Sequence, residues 1–283
     1  MGQLIAKRYR TPLMAYMADH TYVECGAGKA WGCFGGSQNG EAIIAGEGST
    51  ARADAIAEPN GEAGVGRYLI DGVCHQAANR ILLPANRLVT EARGYWLSVA
   101  IFGTYGRSGF NMHADVTGDL PACTALQSGI DISPRLKIES KETLRFIRSN
   151  RSSVAQFSLD FTTPVKRATF NVKRFMKDVH LSLGEISPSS LAGLELAKSE
   201  SEMFLESKAR DFQEINRHAV EFVSEFDRMT DKFQDDAANA LSSEDYERLF
   251  RLHPGEHIRL TAPEAVDLYF GKGVFAAASK PPM

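Results

Sequence analysis

Near residue 134 the 283-residue chain changes character. Before that point the sequence is rich in Gly, holds all four Cys and both Trp, and alternates short apolar runs with turn signals. After it Gly is sparse and apolar residues recur at helical spacing. Two parts built on different periods must fold by different rules. An α+β domain is therefore expected over residues 1–133 and an α-helical region over 134–283. Each part is long enough to bury a core of its own.

In the second part, Pro164 to Leu183 fits a helix with Phe170, Phe175 and Val179 inward. Ser190 to Phe233 fits one long helix or a kinked pair. Within it Phe212, Ile215, Ala219, Phe222, Phe226, Met229 and Phe233 fall at alternating three- and four-residue steps, a heptad seam. Phe at these positions fills a bundle interior, which favours an intramolecular helical hairpin over self-association. Ser242-x-x-Asp245 and Thr261-x-x-Glu264, with Pro263 in the first turn, mark two short capped helices. The tail beyond Gly273 reads as frayed. Basic residues dominate Arg135 to Lys177 and acidic ones Glu185 to Glu247, as expected of segments that pack together or that each meet a protein partner.

In the first part, Leu13 to Cys25 reads as a strand, with Tyr22 and Val23 as β-formers. Gly26 to Lys29 is a turn, Ala30 to Phe34 a second strand and Glu41 to Ala45 a third. Gly46 to Gly66, rich in Gly, Ala and acids, reads as a surface loop. Arg93 to Tyr105 carries Tyr95, Leu97, Val99 and Ile101 at alternate positions and reads as a further strand buried on one face. Gly103 to Cys123 is loop-like.

Between these elements lies the stretch that carries chemistry, Gly72-Val73-Cys74-His75-Gln76-Ala77-Ala78-Asn79-Arg80-Ile81-Leu82. Ala77, Ala78, Ile81 and Leu82 make an apolar helical stripe that Pro84 stops. Cys74 thus falls at a helix N-terminus, where unpaired N–H groups and the helix dipole favour a thiolate, the nucleophilic form. On that expectation Cys74 alkylates faster than Cys25, Cys33 or Cys123. A small buried Cys in a Gly turn is the alternative. A thiol nucleophile needs a base and a group to orient it. His20, on a strand, is the first choice, with Gln38 or Asn39, or else Ser37, as orienter. His113 with Asp115 is the fallback. His75 points a quarter-turn away from Cys74 and is the poorest base. Tyr68 is a candidate oxyanion or substrate-binding donor beside the Cys74 N–H.

The net charge of -3 gives no general reason to expect a nucleic acid partner. No apolar run is long enough to span a bilayer, and the basic N-terminus has no apolar stretch behind it. Four scattered Cys do not form a disulfide framework, which makes a reducing, cytoplasmic setting the default, or else export without a classical signal. No P-loop, dinucleotide fingerprint or zincin motif is present, and no cofactor or metal is expected. The competing class is a zinc-stabilised or helical interaction protein, its shell drawn from His20, Cys25, Cys33, Cys74, His75, His113 and Cys123, although no pair has knuckle spacing.

A strand His followed later by a Cys at a helix start, His20-Thr-Tyr-Val and then Gly72-Val-Cys-His, resembles the circularly permuted branch of the NlpC/P60 papain-like superfamily. Val73 and His75 stand where that family more often has Asp-Cys-Ser or Asn-Cys. The resemblance covers the first half of the chain. It implies a papain-like domain, an antiparallel sheet plus a nucleophile helix, ahead of the helical bundle. It also implies a cysteine hydrolase of amidase, peptidase or deamidase type, or an acyltransferase on the same site, working through a thioester on peptide, protein or lipid acyl substrates. Several bacterial toxins and effectors use related folds.

Overall fold

A computed structural model describes residues 2–10, 16–26, 28–33, 40–57, 67–107, 164–210 and 212–279. Four strands, β1 (Gly2–Tyr9), β2 (His20–Cys25), β3 (Ala30–Gly32) and β4 (Glu41–Gly48), form an antiparallel sheet in the order β3-β2-β1-β4. With the helices below, this is an α+β protein. β1, a central strand, lies in a basic segment for which the sequence suggested no element. Its signal is alternation: Leu4 and Ala6 are fully buried, while Lys7 on the other face pairs with Glu24 at 2.6 Å. Leu4, Ala6, Val23, Cys25 and Trp31 line one sheet face.

Two sequence assignments between Gly46 and Tyr105 need correcting. β4 runs on to Gly48, and helix α1 (Thr50–Ala57) takes up the first part of the expected loop, of which 58–66 lie outside the described residues. The Ser49 hydroxyl accepts the Arg52 N–H at 3.2 Å, a serine cap, and Ala53, Ile56 and Ala57 turn inward. Arg93 to Tyr105 is not a strand but helix α3 (Tyr95–Phe102) with flanking turns. Gly94 (φ 79°) and Gly103 (φ 81°) both take the positive φ that favours glycine and mark its two ends. The apolar run has no period because seven of the eight α3 residues are buried, so alternation there carried no information.

Helix α2 (Cys74–Ile81) is the anticipated one, and all eight of its residues are buried. Ala78 and Ile81 pack on the sheet, and its polar side is stitched to α3 and the turn beyond it. Gln76 Nε2 donates to the Gly103 carbonyl (3.0 Å), Asn79 Nδ2 to that of Thr104 (2.8 Å), and Arg80 Nε to that of Tyr105 (2.5 Å).

From Pro164 onward the described residues are helical, as their period predicts, and 134–163 lie outside the described residues. α4 (Pro164–Leu183) buries Phe175 and Val179, and α5 (Pro188–Arg210) packs against it. The expected long helix is interrupted by a 3-10 turn (Asn216–His218), which separates the short α6 (Phe212–Ile215) from α7 (Ala219–Ala240). α7 packs on α5 as a hairpin, with Phe222, Phe226 and Phe233 buried. Ser242 caps α8 (Ser243–Phe250), accepting the Asp245 N–H at 3.1 Å. For α9 (Pro263–Phe270) the cap position is Ala262, because the Thr261 hydroxyl is taken by buried Asp227 at 2.9 Å. The tail after Gly273 is not frayed as far as Ser279: α10 (Val274–Ala278) lies on α7 with Phe275 and Ala278 buried.

One apolar cluster joins both halves, running from Leu69, Cys74 and Leu97 to Phe175, Phe226 and Phe250. Phe102 stacks on Phe226 with centroids 6.0 Å apart. The expected boundary at 133/134 lies outside the described residues.

Candidate functional site

The chain enters α2 through a tight turn. Arg67 grips Asp71 with two hydrogen bonds (2.9 and 2.8 Å), and buried Leu69 is held at φ 63°, a left-handed conformation that costs a side-chain-bearing residue about 1–2 kcal/mol. Gln76 Oε1 then accepts the Val73 N–H at 3.1 Å, half of a capping box. Val73 has no hydroxyl to supply the other half. Cys74 is therefore the first residue of a helix whose N-terminus no side chain caps, as the sequence suggested.

The sulfur meets the chain at the start of β2, just before its first residue His20. Sγ lies 3.7 Å from the Asp19 carbonyl oxygen, and the ring of His75 shares that oxygen through Nε2 at 3.0 Å. A carbonyl only accepts, so Nε2 carries the imidazole proton and Nδ1 turns to the Ser98 hydroxyl, 3.0 Å away. The same reasoning makes the sulfur contact one of a protonated thiol.

The expectation of a thiolate is corrected here. Cys74 is 4% exposed. Burial pushes its thiol up to about 11, against the lowering effect of Thr21 and the His75 N–H. A helix terminus contributes about 0.3–1 kcal/mol, less than one pKa unit, whereas taking an ion out of water costs several kcal/mol. Burial wins. It likewise pushes His75 down to about 4 and holds the Cys33 thiol well above its usual range. Site-resolved alkylation should accordingly be slow for Cys74 near neutrality and accelerate with pH toward about 11. Fast labelling at neutral pH contradicts this closed thiol.

His20 and Cys74 are not brought together as a pair. Side chains alternate along β2: Val23 and Cys25 face the sheet side that packs on α2, while His20 stacks on Tyr22 (6.0 Å, 18°) on the opposite face. Burial, and after it the nearby Cys74, raise the pKa of Tyr68, but its hydroxyl is engaged by the backbone near α9. It accepts the Ala262 N–H at 3.2 Å, approaches the Leu260 carbonyl at 3.5 Å, and its ring stacks on Tyr269 (5.0 Å). It is thus a tie to the C-terminal helices rather than an oxyanion donor. Ser37, Gln38, Asn39, His113, Asp115 and Cys123 lie outside the described residues.

Among the described residues no group of three His, Cys, Asp or Glu could hold a metal ion. Cys33 and Cys74 share the cluster around Tyr68, but Cys25 belongs to the separate cluster under the sheet.

Two features escaped the sequence reading. Asp19 joins the thiol to the surface: its carbonyl holds Cys74 and His75, and its carboxylate accepts from Arg10 Nε (3.2 Å) and the Arg93 N–H (3.0 Å). Asp178 on α4 is a buried carboxyl pushed up to about 8 by burial, against Arg174 and Lys177, and its Oδ1 has no hydrogen-bond partner among the described residues. Neither follows a local motif, because both depend on which elements the fold stacks together.

No family model, curated protein or solved structure matches the chain, so the permuted NlpC/P60 resemblance rests on the two short motifs alone.

Proposed function

We propose that this chain is a thiol-dependent acyl hydrolase that rests in a closed, protonated form, with Cys74 as its nucleophile. The observation that carries the proposal is the position of the sulfur: first residue of a helix without a side-chain N-cap, set against the start of β2, with Thr21 and the His75 N–H both acting to lower its pKa. The left-handed Leu69 five residues earlier supports it, since strain of this kind collects at functional sites.

In the reaction, the sulfur forms a bond to the carbonyl carbon of an ester or amide and its proton passes to a base. The base returns that proton to the departing alcohol or amine as the carbon–heteroatom bond breaks, leaving a thioester. Water then adds to the thioester, the acid departs and the thiol is restored. His75 is a poor base, because both its nitrogens are engaged and burial disfavours the imidazolium it would have to become. His20 would have to turn about the start of β2, next to the Asp19 carbonyl that now holds the sulfur. His113 with Asp115 is the alternative base.

A second reading has its own support. The complete burial of His75, Gln76 and Asn79, each hydrogen-bonded, suits an α2 that only ties the sheet to the helices, within an interaction protein. Hydrolysis of model thioesters, esters and amides by wild type, Cys74→Ala and Cys74→Ser separates the two. The hydrolase reading expects turnover that vanishes in both variants while their circular dichroism stays native. Turnover surviving in Cys74→Ala, or absent from wild type across all three substrate classes, overturns it.

A further inference from the structure

Away from the thiol, a cleft of about 860 Å³ opens where the end of β1, the turn before α3 and the end of α8 meet. Five arginines reach it from distant parts of the chain, Arg8, Arg10, Arg87, Arg93 and Arg251, with Trp96 among them. Its volume falls in the range of small-molecule sites. We propose that this cleft binds an organic phosphate carrying a planar ring, of the nucleoside monophosphate class.

The charges point to a single phosphate group. Glu41 holds Arg8 (2.8 Å), Asp19 holds Arg10 (3.2 Å) and Glu256 pairs with Arg93, so these three guanidiniums are already oriented by carboxylates. Arg87 donates to the carbonyls of Ala45 and Asn86 (both 3.3 Å) and has no ion pair among the described residues. Arg251, on a left-handed residue (φ 56°) closing α8, has no ion pair among the described residues. With Glu91 in the lining, the five guanidiniums are set against four carboxylates among the described residues. An excess this small suits one phosphate gripped by forked donors, not a polyphosphate or a nucleic acid backbone, which demands a broad positive surface. The planar component follows from Trp96, half-buried in the lining and fixed edge-on to Tyr95 (5.1 Å, 83°), a rigid apolar plate beside the arginines.

The proposal does not depend on Cys74 and is tested by calorimetry on the full chain with adenosine monophosphate, inorganic phosphate and adenosine. Adenosine monophosphate should bind more tightly than either fragment. Its affinity should fall about tenfold in Arg87→Ala and again in Arg251→Ala, both exposed positions where the fold should survive. Trp96→Leu should weaken adenosine monophosphate but not inorganic phosphate. Affinities unchanged by both arginine substitutions, adenosine binding as tightly as the nucleotide, or binding of single-stranded RNA with none of the free nucleotide would each overturn the assignment.

Discussion

Glu202→Gln is expected to cost about 3–5 kcal/mol of folding stability, because it removes the anion that two buried cations share. Glu202 is fully buried on α5. Its Oε2 accepts from Arg107 Nε (3.0 Å), Arg107 Nη2 (2.9 Å) and Asn171 Nδ2 (3.0 Å), and its Oε1 from Lys198 Nζ (2.6 Å). Burial alone would raise this carboxyl, but Lys198 and Arg107 more than cancel that and bring it down to about 2. Lys198 in turn is lowered by burial to about 8 in spite of Glu202. A neutral amide in place of the carboxylate leaves Glu206, 2.6 Å from Arg107, as the remaining acid on that guanidinium. The sign of the pH dependence follows. A carboxyl whose folded pKa is depressed stabilises above its unfolded pKa of about 4.3, and that contribution is lost as pH falls toward about 2. Urea unfolding near neutrality and at about pH 3 should show a wide gap between wild type and Glu202→Gln that narrows in acid. Equal stability near neutrality would mean that the network contributes nothing net.

Asn79→Leu is the second large effect expected, about 3 kcal/mol or more, with side-chain volume nearly unchanged. Asn79 sits fully buried at the middle of α2 and spends its whole amide on the surroundings. Nδ2 donates to the Tyr95 hydroxyl (3.2 Å) and the Thr104 carbonyl (2.8 Å), and Oδ1 accepts the Val89 N–H (3.0 Å). Leucine fills the space but strands three buried polar groups, each costing about 1–3 kcal/mol when left unpaired. Because two of those groups belong to α3 and the turn after it, the loss should appear as reduced amide-exchange protection across residues 95–105 as well as in denaturant midpoint. A midpoint within error of wild type would show that α2 is not the tie between sheet and helices.

What the sequence disclosed tracks how local each cause is. α2 was legible because Gly72, the Ala77-Ala78 and Ile81-Leu82 stripe and Pro84 all lie within one short stretch. The Phe seam of α7 was legible for the same reason, as was the Ser242 cap. α3 was not, since a segment buried all round erases the period that separates helix from strand. The candidate site divides the same way. Cys74 at a helix start is a local fact, but its state is set by the depth at which the sheet, α3 and the C-terminal helices bury it. Whether His20 or Thr21 approaches that sulfur turns on the parity of one strand, and a shift of one residue reverses every side chain. The arginine cleft had no local trace, because its five guanidiniums come from three separate segments.

The most direct trial of the thiol proposal is to mix the full-length protein with p-nitrophenyl acetate, quench in acid and map acetylated peptides by mass spectrometry. A hydrolase working through Cys74 gives an acetyl group on the peptide that spans Gly72 to Leu82, bound as a hydroxylamine-sensitive thioester and missing in Cys74→Ala. No acetyl group there, under conditions where the wild type releases p-nitrophenol faster than buffer does, would place any activity elsewhere and leave Cys74 a packing residue.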